Sequence, residues 1–130
     1  MADDWFSRYP NLEFERHDDG ILLITIARPE AMNATDAELH RGLSRIWSEI
    51  DDDPVTRVVI ITGKGKAFSA GGDLEWITSM VGNYDGMKAA FREAGDIVYG
   101  MTRCSKVIIS AINGVAVGVP TLSSIAPVTA

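Results

Sequence analysis

The sequence predicts an α/β fold in which helices flank a sheet, and three observations carry that prediction. A β-branched hairpin pattern opens the chain, an amphipathic helix follows it, and short continuous apolar runs at residues 58–61 and 107–112 then alternate with further helical periodicity. The 130 residues, 46% of them hydrophobic, suffice for one domain with a modest core and fall short of two.

The elements follow in order. Residues 12–17 alternate apolar and polar side chains, Asp18-Asp19-Gly20 reads as a turn, and residues 21–26 form a β-branched run. Arg28-Pro29 ends that second strand, because proline lacks a donor and holds its predecessor extended. Thr35 with Glu38 makes a capping-box pattern, and Leu39, Leu43, Ile46 and Ile50 recur at helical spacing until Asp51-Asp52-Asp53-Pro54 breaks the helix. The apolar run at residues 58–61 has the composition of a strand covered on both faces. A loop of glycine and small residues occupies residues 62–72, and a helix-compatible pattern resumes over residues 73–81 through Leu74, Ile77 and Val81. Asn83 is placed to cap a longer helix with Met87, Phe91, Ala94, Val98 and Met101 on one face, ahead of a strand at residues 107–112. The predicted order is β-β-α-β-α-α-β, with an irregular segment after Gly114.

Composition narrows the functional classes. Eighteen acidic residues against 12 basic ones, with no basic and aromatic interleaving, argue against a nucleic-acid partner. Any anionic ligand must then be held by local backbone donors and a few basic side chains. No apolar stretch reaches the roughly 18 to 20 residues of a membrane helix, and one cysteine with an acidic, polar start reads as a cytoplasmic protein. Two histidines and one cysteine lie far apart, so no metal site is expected.

Chemistry concentrates in Lys66-Ala67-Phe68-Ser69-Ala70-Gly71-Gly72-Asp73-Leu74. Ala70, Gly71 and Gly72 let a ligand approach the backbone, and a helix starting near Asp73 aims free N–H groups at it. That arrangement suits a carbonyl that becomes an oxyanion. Local pattern alone supports equally a strand-to-helix turn whose glycines serve geometry and whose Asp73 is a cap.

Taken with its surroundings, this segment resembles the enoyl-CoA hydratase/isomerase (crotonase) family. The resemblance covers about residues 12 to 118: the hairpin, Arg28-Pro29, Asn33-Ala34, a helix, a Val-Ile strand, Lys-Ala-Phe-Ser-Ala-Gly-Gly-Asp-Leu, a long helix, and Ile109-Ser110-Ala111-Ile112-Asn113-Gly114-Val115-Ala116. It implies an incomplete crotonase-like ββα spiral, with residues 1–118 as the amino-terminal part of an acyl-CoA-binding domain and residues 119–130 as a divergent, irregular tail. The resemblance further implies binding of an acyl-CoA thioester, coenzyme A entering only as part of the substrate, and enolate stabilisation leading to hydratase or isomerase chemistry. Gly72 matches the position of the first oxyanion N–H. Ala70, Gly71, Gly72, Asp73 and Leu74 match the thioester-lining stretch, and Met32 matches a coenzyme A contact.

Departures follow Gly118. Val119 stands at the second oxyanion donor, where its branched side chain crowds the approach, and Pro120 comes next. Leu122 replaces the glutamate usual in hydratases. These changes leave open an inactive remnant or interaction module of the same family. Homo-oligomers based on trimers are also implied by the resemblance.

Other residues carry weaker readings. Glu75 and Glu93 are expected to be solvated helical carboxylates, His17 a strand residue and His40 an exposed helix residue. Trp47, Trp76 and Phe91 are expected in core or interface. Arg103 and Lys106 stand near Cys104 and favour its thiolate, while Arg28, Lys64 and Lys66 are candidates for coenzyme A phosphates.

Overall fold

A computed structural model describes residues 4–118. β1 (Leu12–His17) and β2 (Ile21–Ile26) form the predicted hairpin, paired antiparallel from Leu12 with Ile26 to His17 with Ile21. Asp19 (φ 66°) and Gly20 (φ 79°) supply two consecutive left-handed residues, the turn geometry that matches the twist of paired strands. β3 (Val58–Gly63) and β5 (Val107–Ser110) add in parallel, giving the sheet order β1-β2-β3-β5. A second, two-stranded parallel sheet joins β4 (Ala67–Ser69) to β6 (Val115–Ala116). Both of its strands escaped the sequence reading, since three and two residues show no period.

The connections between parallel strands are helical. α1 (Ala37–Asp52) links β2 to β3, while α2 (Leu74–Ser79) and α3 (Tyr84–Arg103) lie between β4 and β5. α1 and α3 run parallel: His40 meets Glu93, Gly100 faces Trp47, and Ser105 just past α3 meets Asp51. A side chain at Gly100 would sit 2.9 Å from Trp47 Cδ1, so the glycine lets that indole lie flat between the helices.

One face of the large sheet makes the core. Leu22, Ile24 and Ile26 align with Val59 and Ile61 and bury against Leu39, Leu43, Ile46, Trp47 and Ile50 of α1 and Ile97 and Met101 of α3. The opposite face, through Leu23 and Ile60, is only half-buried, and its Ile109 is 40% exposed. The expectation that β3 is covered on both faces is therefore corrected. A short apolar run looks the same whether its second face is buried or merely apolar.

Three further expectations shift. Asp36, not Thr35, caps α1 by accepting from Leu39 N at 2.9 Å, because Thr35 is drawn into a parallel bridge with Gly72. The helix expected over residues 73–81 shortens to α2, with Leu74 and Val81 exposed. On α3, Ile97 and Met101 enter the core while Phe91 stays 71% exposed. Asn83 caps α3 as expected, accepting from Gly86 N at 3.0 Å. No helix among the described residues is long and apolar enough to cross a membrane.

Candidate functional site

Two loops build the site by running side by side. Residues 32–35 and 70–73 are joined by Ala70 N to Met32 O (2.9 Å), Thr35 N to Gly71 O (2.7 Å) and Asp73 N to Thr35 O (3.0 Å). Asn33 anchors the first loop. Its buried side chain accepts from Arg28 N and donates to the carbonyls of Lys64 and Ala67, while Ser69 Oγ donates to Asn33 O. These bonds hold Met32 and Asn33 in left-handed backbone at φ 53° and 56°, a conformation Asn tolerates better than most residues.

The same ladder orients Gly72. Gly71 O accepts from Thr35, and in a trans peptide the next N–H points the opposite way, so the Gly72 N–H faces away from Thr35. Gly72 is exposed, and this N–H donates to no acceptor among the described residues. Gly118 (φ 82°) passes directly over this point. A side chain on it would fall 2.9 Å from Gly71 Cα and 3.7 Å from Gly72 N, so only glycine fits. Val119, Pro120 and Leu122 lie outside the described residues, as does the rest of segment 119–130.

Beside Gly72 opens an apolar cavity of about 310 Å³. Gly72, Gly118, Thr35 and His40 line it together with Trp76 and Ile77 of α2 and Met87 and Phe91 of α3. Its volume stands near the lower limit of about 300 Å³ for small-molecule cavities. Trp76 and Phe91 both line this cavity, and Phe91, 71% exposed, is no core residue.

Helix-dipole support for Gly72 is weaker than the sequence suggests. α2 has six residues, and the Asp73 carboxylate itself accepts from Trp76 N at 3.2 Å, satisfying the helix end. Asp73 also lies 3.5 Å from Arg28 Nη2. Arg28, held further by Asp36 and by Ala34 O, is partly buried and committed to this network. Lys64 pairs with Glu13 at 2.7 Å. Met32 is 43% exposed beside Ala70, whereas Leu74 points to solvent at 79%.

His40 corrects another expectation. It is 5% exposed, its Nδ1 lies 2.7 Å from Glu93 Oε1, and its ring packs against Trp76 at 4.9 Å with the planes tilted by 53°. Glu93, expected in solvent, is thereby half-buried between α1 and α3. The available signal was weak: His40 stands three residues before Leu43 and seven before Trp47, on the edge of the apolar stripe. Thr35 also escaped notice; its Oγ1 is buried with no hydrogen-bond partner among the described residues. For Cys104, burial pushes the thiol up, with Asp51 adding to the effect, and this outweighs the Lys106 contacts that favour the thiolate. It has the character of a structural cysteine. No cluster of three metal-ligating side chains occurs among the described residues.

The enoyl-CoA hydratase/isomerase family model matches residues 16–122. The chain belongs to the enoyl-CoA hydratase/isomerase family. Its similar relatives include a mevalonyl-coenzyme A hydratase of Beauveria bassiana, 35% identical over an alignment of 104 positions, with 75% of this chain and 37% of that protein covered. An (E)-benzylidenesuccinyl-CoA hydratase of Thauera aromatica is 36% identical over 108 residues, covering 82% and 40% respectively. Among solved structures, an enoyl-CoA hydratase/isomerase from Mycobacterium paratuberculosis superposes with a TM-score of 0.75 at 38% identity, over 80% of this chain and 41% of that one. The enoyl-CoA hydratase/isomerase match thus includes both site loops, the cavity and Gly118, and the chain spans about two-fifths of the length of these relatives.

Proposed function

We propose that this chain binds an acyl-CoA thioester with its carbonyl oxygen on the Gly72 N–H and its acyl group in the adjoining cavity. One observation carries the reading: the backbone N–H of exposed Gly72, without an acceptor among the described residues, belongs to a residue lining an apolar cavity, where Gly118 and Gly71 pass backbone to backbone. The acyl group belongs in the cavity because its walls are hydrocarbon and sulfur. The thioester then passes along Ala70 to Asp73, with Met32 on the outer side where the coenzyme A moiety leaves.

The chemistry that follows is enolate stabilisation. A donor fixed before the reaction is worth about 3 kcal/mol to a developing oxyanion and much less to a neutral carbonyl, so Gly72 favours the transition state over the bound thioester. Val119 is the residue assigned the second donor. Hydration or isomerisation of the double bond next to the thioester is the reaction class, as the hydratase names of the two relatives suggest.

Calorimetric titration with crotonyl-CoA, with the enoyl thioester absorbance followed in parallel, tests this. Binding is expected, and Gly72→Pro, which removes the donor N–H, is expected to abolish turnover while the far-UV spectrum stays unchanged. Unchanged kinetics in that variant would sink the oxyanion assignment. A folded sample that takes up no thioester would leave the inactive remnant as the reading.

A further inference from the structure

We infer that His40, oriented by Glu93, is the acid–base residue of the acyl cavity, a role that rests on the thioester reading above. Two observations converge. His40 lines the same cavity as Gly72. Its Nδ1 is committed to Glu93 Oε1 at 2.7 Å, which leaves Nε2 as the nitrogen without a partner among the described residues.

A structural explanation accounts for these features less well. A polar pair used only to tie α1 to α3 costs desolvation that an apolar pair would avoid, and nothing would require it to border a ligand cavity. A histidine with one nitrogen fixed by a carboxylate and the other facing a substrate space is the arrangement that sets a tautomer for proton transfer. Glu93 is a positioning residue here. It holds the proton on Nδ1, leaves Nε2 as the base, and balances the imidazolium that forms. Trp76 packs against the ring and limits its rotation.

Nε2 takes a proton from the α-carbon of the bound thioester, and the C–H electron pair becomes the carbon–carbon double bond of the enolate. The carbonyl π pair moves to the oxygen held by the Gly72 N–H. Solvent exchange places a deuteron on Nε2 in heavy water, and its return to the α-carbon regenerates the thioester with one C–D bond in place of C–H. No oxidant or co-reactant is consumed.

The test incubates the full chain with butyryl-CoA in heavy water. Deuterium at the α-carbon is read by mass spectrometry, and binding is read separately by calorimetry. His40→Gln is expected to keep the dissociation constant within about threefold while slowing exchange by about 100-fold or more. Nitrogen-edited NMR of the wild-type imidazole should show the Nδ1–H tautomer, a shift of Nε2 when butyryl-CoA saturates the site, and loss of that tautomer preference in Glu93→Gln. Exchange in His40→Gln at the wild-type rate, wild-type binding without exchange, or an Nε2 signal unmoved by saturating ligand would each overturn the role of His40 and leave the thioester reading intact. Absence of butyryl-CoA binding by the folded wild type would overturn the thioester reading, and this inference with it. Because the NMR measurement uses the unaltered chain, the outcome stands even where a substitution fails to fold.

Discussion

Replacing Asn33 tests the ladder that positions the site. Asn33 is fully buried and makes three side-chain hydrogen bonds: from Arg28 N at 2.9 Å, to Lys64 O at 3.0 Å and to Ala67 O at 2.8 Å. Asn33→Ala removes all three, one buried and two part-buried, at about 1 kcal/mol each, while Ala67 O keeps a longer bond from Asn113 Nδ2 at 3.3 Å. It also places alanine at φ 56°, which adds about 1 kcal/mol of left-handed strain. The sum of about 4 kcal/mol is a large share of the roughly 5 to 15 kcal/mol that keeps a domain folded. With a urea dependence of about 2 kcal/mol per molar, the unfolding midpoint should fall by about 2 M. Asn33→Gly relieves the strain and should recover about 1 kcal/mol. Asn33→Asp keeps the bond from Arg28 N but turns a carboxylate oxygen toward two carbonyls, so it should be at least as damaging as alanine at neutral pH. Its deficit should shrink as pH falls and the raised carboxyl takes up a proton that can be donated. Urea titrations of the three variants measure these effects. A cost below about 1 kcal/mol for alanine, or wild-type stability for Asn33→Asp at pH 7, would refute the three-bond account.

Other predictions concern neighbouring devices. A side chain at Gly114 would lie 2.0 Å from Lys66 O and 3.3 Å from Ala67 Cα, both unyielding backbone, so Gly114→Ala should cost about 3 kcal/mol or more in a thermal melt. Gly95 in mid-α3 meets nothing within 4 Å, and Gly95→Ala should stabilise by about 1 kcal/mol through helix propensity alone. Burial pushes the Asp53 carboxyl up, but hydrogen bonds from Thr56, Val55 N and Arg16 outweigh it and hold the group below the ordinary carboxylate value of 3.8. Its stabilising contribution is therefore complete above that value and lost as pH falls through the lower folded-state value. Asp53→Asn should be less stable at neutral pH, with the gap closing in acid unfolding curves.

What the sequence determined by itself was local and periodic. The hairpin follows from alternation and Asp18-Asp19-Gly20, α1 from its apolar stripe, and the α3 start from Asn83, because each depends on neighbours a few residues away. The glycine loop was legible for the same reason, since Gly71 and Gly118 answer backbone requirements that no other residue meets as well. Tertiary structure decided everything that joins distant segments. The β4–β6 pairing links residues about 48 apart and leaves too short a trace for any period. Thr35 lost its role as a cap because Gly71 and Asp73 claim its backbone from across the loop. His40 and Glu93 are separated by 53 positions, and each alone looks like an ordinary polar helix residue. Only the parallel packing of α1 on α3 closes them into one buried pair beside the cavity. A helix's own periodicity records how much of it is buried, whereas the neighbour that buries it is set by the topology of the sheet.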